Sequence, residues 1–329
     1  MAAAKNFAAL MSDRRVHIND VAMRDGLQIE PAFVPTEQKI AMVNALSLTG
    51  LSKIEVTSFT SPKAIPALRD AEQVMMEIDR VPGVRYVALA PNMRGAQRAL
   101  ECRVDEINLV MSASETHNLA NTRMTMAQSR AVLTDIIREA RGRAAVNISL
   151  STAFGCPMEG HVAPEAVYAL GDWFAGQGAD GITLCDTTGM ANPMQVAELA
   201  EGLDRRWPGM ELTLHFHNTR GMGLANVIAG LIAGIDRYDA SLGGVGGCPY
   251  APGATGNICT EDLVHMLDTM GVASGVDVDK LLACAARLPA LLGHDIPGAV
   301  LRAGKSDGRH PPPADLEAIR ARALARETA

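Results

Sequence analysis

Aromatic residues are scarce, at 4% of the 329 positions, although 48% of the chain is hydrophobic. A core must therefore be built from Ala, Val, Leu, Ile and Met, which suits helices packed closely on a parallel sheet. The six cysteines (Cys102, Cys156, Cys185, Cys248, Cys259 and Cys284) form no Cys-x-x-Cys pair. That spacing argues against a disulfide framework and fits a reducing compartment. No apolar run reaches the ~20 residues that span a bilayer. Basic residues are in deficit, 30 Lys and Arg against 37 Asp and Glu, for a net charge of -7. A broad surface for nucleic acid or anionic membrane is thereby excluded, though not a local basic patch for an anionic ligand. Residues 1–15 are Ala-rich with Lys5, Arg14 and Arg15, and lack the apolar segment of a secretory signal. They are expected to form a disordered leader on a cytoplasmic protein.

What the chain does contain is a regular alternation. Strand-like runs are expected at Val16–Ala22, Lys53–Phe59, Arg85–Ala90, Glu106–Met111, Ala145–Ser151, Gly181–Cys185, Glu211–His217 and Arg237–Leu242. Helical patterns follow them at Pro35–Thr49, Ile65–Asp79, Met93–Glu101, Thr125–Arg141, Pro164–Gln177, Pro193–Arg206, Met222–Gly234 and Thr260–Met270. Eight strand–helix units in order predict a closed (β/α)8 barrel. The open doubly wound alternative calls for a GxGxxG turn after the first strand, and MRDGLQ stands there instead. The barrel with its extra C-terminal helices is expected over 16–303. Gly304–Pro313 reads as a flexible linker and Ala314–Ala329 as a charged terminal helix.

In such a barrel the site forms at the C-terminal ends of the strands. The first strand leads into Arg24-Asp25-Gly26, which is either a solvated pair or a site turn in which glycine permits a close backbone approach. Glu55 lies within an apolar strand. It either faces outward to a helix cation or faces inward to Arg24, because a lone buried carboxylate is costly. His215 and His217, at i and i+2 on the seventh strand, share one face and make half of a metal site. Residues 242–257 hold six glycines in sixteen positions, the composition of a mobile lid or a phosphate cradle. A cysteine there, Cys248, is expected to be reactive, unlike Cys185 within the sixth strand. Asp25, His215, His217 and Asn257 together offer two oxygen and two nitrogen ligands. That set suits Mg²⁺ or Mn²⁺ better than Zn²⁺.

These motifs resemble those of the 3-hydroxy-3-methylglutaryl-CoA (HMG-CoA) lyase family, within the metal-dependent barrels named for an Asp-Arg-Glu signature. The resemblance runs from about Val16 to Val276. It is carried by RDGLQ (24–28), KIEVTSFTSPK (53–63), APNMRG (90–95), SASE (112–115), GCPMEG (155–160), CDTTGM (185–190), HFHNTRG (215–221) and GGVGGCPYAPGATGN (243–257). It implies that Asp25, His215, His217 and Asn257 are metal ligands, that Arg24 stabilises an enolate oxygen and that Glu55 orients Arg24. It further implies that Cys248 takes part in proton transfer and that Asp186 lies near the bound acyl group. Ser58, Thr183 and Gln28 are expected to line the site. A homodimer or larger homo-oligomer acting on a small acyl-CoA is implied as well, with no nucleic-acid or membrane partner.

The expected reaction is metal-assisted retro-aldol (retro-Claisen-type) cleavage, with His215, His217 and Asp25 all open as the base. The chain departs from the family pattern at Asn218-Thr219-Arg220, where Asp-Thr-Tyr is usual, at Pro31 in place of a lysine, and at Arg94 in place of a lysine. Arg220 is the departure expected to alter how the acyl tail is held. The alternatives are the same chemistry on citramalyl-CoA or a 3-substituted glutaryl-CoA, and a condensing synthase of the isopropylmalate or homocitrate type. The GGCPY loop speaks against the synthase. A catalytically dead barrel used as a binding module would not need the complete set of metal and acid residues.

Overall fold

The computed structural model describes residues 14–247 and 256–327. Its strands are β1 (His17–Asp20), β2 (Lys53–Ser58), β3 (Arg85–Leu89), β4 (Glu106–Ser112), β5 (Ala145–Ser151), β6 (Gly181–Asp186), β7 (Glu211–Phe216) and β8 (Arg237–Ala240). Each pairs in parallel with its sequence neighbour, and β8 closes on β1. The expected barrel is thus the observed fold.

Helices α1 (Thr36–Ser47), α2 (Ala71–Glu77) and α3 (Met93–Glu101) follow the first three strands. After β4 come α4 (Glu115–Thr122) and α5 (Met126–Ala140), and after β5 comes α6 (Pro164–Gln177). The sixth crossover holds α7 (Pro193–Ala200) and α8 (Leu203–Arg206), and the seventh α9 (Gly223–Ile232). Beyond β8 lie α10 (Thr260–Thr269), α11 (Val278–Ala285), α12 (Leu288–Leu292), α13 (Ala299–Ala303) and α14 (Leu316–Glu327). No residue of α14 is buried. Among the described residues no helix is long and apolar enough to cross a membrane.

The strands alternate two kinds of surface. Ile18, Ile54, Ile107, Ile148, Leu184 and Leu214 are buried beneath the helices. The intervening residues, which turn into the barrel, are polar: Asn19, Glu55, Asn108, Asn147, Thr183, Thr213 and Asp239 line a small internal cavity. At the N-terminal end an ion-pair network closes the barrel. Lys53 Nζ lies 2.6 Å from both Glu106 Oε2 and Glu211 Oε2, and Arg85 binds the same two carboxylates at 2.8 and 2.9 Å.

Several boundaries differ from the sequence reading, each for a local reason. The first strand stops at Asp20, because residues Ala22–Gly26 wind into a π-helical turn. Asp20 Oδ1 accepts from the Ala22 amide at 2.9 Å and starts that turn. The helix expected at 65–79 is a 3-10 turn at Pro66–Leu68 followed by α2. The helix expected at 193–206 breaks at Gly202, whose φ of 76° is left-handed. Helix α4 had no counterpart in the reading, because ETHNLANT carries no apolar stripe. Ser114 caps it through its side chain.

Candidate active site

The site is built from the chain segments that leave the C-terminal ends of β1, β2, β6 and β7, together with Asn257. The π-helical turn swings Arg24 and Asp25 over the barrel mouth. It requires Gly26, because a Cβ there would sit 2.6 Å from Cγ2 of Val245. What the glycine admits is therefore the glycine-rich segment after β8. Arg24 forms an ion pair with Asp25 and a second with Glu55, Nε to Oε2 2.9 Å. Of the two readings of Glu55, the inward one is the observed geometry. Asn108 donates to its other oxygen, Oε1, at 2.9 Å.

Asp25, His215 and His217 form the group able to hold a metal ion among the described residues: one ligand atom from each lies within 4.8 Å of the others. The His215 and His217 rings are 5.2 Å apart, centre to centre. Asn257 joins them, donating from Nδ2 to Asp25 Oδ2 at 2.9 Å. It is brought there by an isolated bridge that pairs it with His217. His217 Nε2 lies 4.0 Å from Asp25 Oδ2, and the buried Asn257 Oδ1 has no hydrogen-bond partner among the described residues. A cation facing that oxygen would relieve its deficit, so the donor set fits a divalent ion.

The electrostatics agree with such a role. Burial raises the Asp25 carboxyl, but Arg24, the two imidazoles and Asn257 outweigh it and hold the group below its ordinary range. Burial and the neighbouring His215 bring His217 down to about 4, leaving it neutral and able to donate a lone pair. Burial also disfavours the charged form of His215, but its hydrogen bond to Asp239 and that carboxylate's charge raise it. Burial raises Glu55 despite Arg24 and Asn108.

The remaining residues singled out in the sequence are placed as follows. Asp186 is buried at the end of β6, where Oδ1 accepts from the Met190 and Ala191 amides at 2.7 and 3.1 Å. Burial lifts its carboxyl to about 6. Thr183 lies deeper, accepting from Asn147 at 2.9 Å. Ser58 is buried and bonds Thr60 at 2.7 Å. Gln28 follows the π-helical turn and is partly buried. Arg220 is exposed and donates to the Thr188 and Gly189 carbonyls at 2.9 and 2.7 Å, tying the β7 loop to the β6 loop. Cys185 is buried, and burial holds its thiol well above 9. Cys248 lies outside the described residues. Asp239 was missed. A carboxylate alternating with apolar Tyr238 and Ala240 in a strand carries the same signal that drew attention to Glu55.

A closed parallel barrel whose mouth gathers a carboxylate, two imidazoles and an arginine backed by a second carboxylate is the architecture of a metal-binding barrel enzyme. The sequence matches the HMGL-like family model over residues 15–287, and the chain belongs to that family. It is 46% identical over 294 residues to the hydroxymethylglutaryl-CoA lyase YngG of Bacillus subtilis, covering 89% of this chain and 98% of that one. It is 40% identical over 303 residues to an (R)-citramalyl-CoA lyase of Chloroflexus aurantiacus, covering 88% and 95%. An HMG-CoA lyase from A. baumannii, solved with coenzyme A and 3-methylmalate, superposes with a TM-score of 0.88 at 50% identity, covering 91% and 98%.

Proposed function

We propose that this chain is a divalent-metal-dependent carbon–carbon lyase that cleaves HMG-CoA to acetyl-CoA and acetoacetate. The observation that carries this reading is the arrangement of Arg24. Its guanidinium is buried, held by Glu55 and set directly beside Asp25 of the ligand cluster. A fixed cation at that point is what a developing enolate oxygen requires. The family relationship supplies the acyl-CoA context.

Asp25, His215, His217 and Asn257 would hold Mg²⁺ or Mn²⁺. When bound, such an ion supplies Lewis acidity that eases deprotonation of the tertiary hydroxyl. A base of the site takes that proton, with His215, His217 and Asp25 as the candidates; an imidazole can do so only with a nitrogen that neither carries a proton nor binds the ion. The carbon–carbon bond then breaks, and its electron pair passes into the enolate of acetyl-CoA. Arg24 neutralises the developing oxyanion. Cys248 returns a proton to the terminal carbon, completing acetyl-CoA, and acetoacetate leaves as the other product. Asp186 orders residues 190–191 beside the acyl portion, Ser58, Thr183 and Gln28 contribute to the lining, and Arg220 fixes the loop that flanks it. The working unit is a homo-oligomer in the cytoplasm.

The second reading is (R)-citramalyl-CoA cleavage by the same steps, favoured by the 40% identity to such a lyase and by Arg220 where the family pattern has tyrosine. Both are tested together. Metal-stripped protein is incubated with HMG-CoA or citramalyl-CoA, with and without Mg²⁺ or Mn²⁺, and acetyl-CoA or the keto acid is quantified. Metal-dependent acetyl-CoA from HMG-CoA, lost in Arg24→Met, is the expected result. Turnover of citramalyl-CoA alone would keep the mechanism and replace the substrate. Turnover of neither, with metal demonstrably bound, would overturn the proposal.

A further inference from the structure

The register of the closed barrel places three polar side chains in one row. Asn19 on β1 pairs with Asp239 on β8, and Asp239 pairs in turn with His215 on β7. All three therefore turn into the barrel at the same level. Asp239 Oδ2 lies 3.2 Å from His215 Nδ1, and Asp239 Oδ1 accepts from Asn19 Nδ2 at 2.9 Å. Each carboxylate oxygen thus has its own partner, one on either side. The residue is only 9% exposed, so solvent has little access to either position.

We propose that Asp239 is a positioning residue, and that Asn19–Asp239–His215 is a relay which fixes the tautomer and ring orientation of His215. The proposal rests on the reading of His215 as a metal ligand. With Nδ1–H given to Asp239, the lone pair of His215 stands on Nε2, and the ring cannot turn without breaking that bond. A ligand that donates its second N–H to a carboxylate is more basic and better oriented than one that does not. Among the described residues His217 lacks this support, since its buried Nδ1 has no hydrogen-bond partner there. The two imidazoles are therefore not equivalent, and the structure assigns the carboxylate-backed role to His215 alone. Asn19 acts one step further out: without it the carboxylate is free to rotate, and Nδ1 loses a fixed acceptor.

The test has two readouts, one of which involves neither metal nor turnover. In metal-free protein at alkaline pH, ¹⁵N-edited NMR of the imidazoles should show His215 as the Nδ1–H tautomer, and Asp239→Ala should abolish that signature while the pattern of His217 persists. Titration of metal-free protein with Mn²⁺, followed by electron paramagnetic resonance, should show affinity falling about 10- to 100-fold in Asp239→Ala. Asn19→Ala retains the carboxylate and should lose less, and Asp239→Glu should recover part of the affinity. An Nε2–H tautomer in the wild type would overturn the assignment. So would an Asp239→Ala protein, folded by circular dichroism, with unchanged Mn²⁺ affinity. If Asp239→Ala does not fold, Asn19→Ala carries the same two measurements. Failure of acyl-CoA cleavage in the wild type, with the tautomer as stated, would strike the lyase reading and leave the relay standing.

Discussion

Arg24 and Glu55 meet across the seam between β1 and β2, with Nε and Oε2 2.9 Å apart and both side chains almost wholly buried. The contact joins a residue of a π-helical turn to the middle of a strand, so it exists only when the turn is wound as observed. It also sets which way the guanidinium faces, because Glu55 holds one flank and Asp25 the other.

Removing the acid should therefore cost both catalysis and stability. In Glu55→Gln, Arg24 keeps its charge and its pair with Asp25 but loses its second carboxylate partner, a change expected to destabilise by about 1.5–3 kcal/mol. The expected outcome is a lower denaturant midpoint with a fall in kcat. In Arg24→Met the loss of the oxyanion partner should reduce kcat by about 10²- to 10³-fold. Stopped-time assays of acetyl-CoA release, paired with urea melts, separate the two effects.

Glycine at 26 is needed for a contact, not for a dihedral. Alanine there would drive its Cβ to 2.6 Å from Cγ2 of Val245, which is itself buried. Gly26→Ala is expected to destabilise by about 1–3 kcal/mol and to displace the Arg24–Asp25 turn, lowering kcat. Adding Val245→Ala removes the clashing methyl groups and should restore much of both. A double variant no better than the single one would show that the contact is not the cause.

Metal binding should be visible as folding stability. A ligand that binds only the folded state at 100 times its Kd stabilises by about 2.7 kcal/mol. Mn²⁺ is expected to raise the Tm of chelator-treated protein, and His217→Ala should abolish the rise along with activity. Scanning calorimetry at several metal concentrations measures both.

Glu261 contributes stability that falls as pH rises through mild acidity. Burial raises its carboxyl from 4.5 to about 7, against the opposing bond from the Gly243 amide at 2.9 Å; the titratable groups Cys259, Asp262 and Cys284 also interact with it. The folded chain thus holds this proton more tightly than the unfolded chain. The resulting contribution is complete below 4.5 and is lost as pH approaches 7. Glu261→Gln has no proton to lose, so its advantage over the wild type should grow across that window, by on the order of 2–3 kcal/mol. Asp20, raised to about 6 by burial, tilts both proteins alike and cancels in the difference. Urea midpoints between pH 4 and pH 8 provide the comparison; parallel curves would refute it.

The ion-pair network at the opposite end of the barrel should matter to stability alone. Lys53→Met leaves Glu106 and Glu211 without the ammonium that bridges them, although Arg85 still binds both. A loss of about 3 kcal/mol is expected, with KM and kcat of the folded enzyme unchanged.

The barrel was legible in the sequence because parallel strands buried against helices leave β-rich runs at regular intervals, and the glycines and prolines between them mark the turns. The side-by-side histidines were legible for an equally local reason, since residues two apart on a strand share a face. Every element missed or misjudged was one whose cause is local but is not written in hydrophobic periodicity. The π-helical turn depends on Asp20 capping Ala22. Helix α4 has no apolar stripe, and the break at Gly202 is one left-handed residue inside an otherwise helical pattern.

By itself, then, the sequence determined the element order, the barrel and the residue types available for chemistry, because each is written in short-range periodicity. Tertiary structure alone decided that Glu55 faces Arg24 and not solvent, that Asn257 arrives beside His217 from forty residues further along the chain, and that Asp239 stands between Asn19 and His215. The last follows from register around a closed sheet, the first two from a turn and an isolated bridge that bring distant segments to the barrel mouth, and no pattern within a single strand encodes any of them.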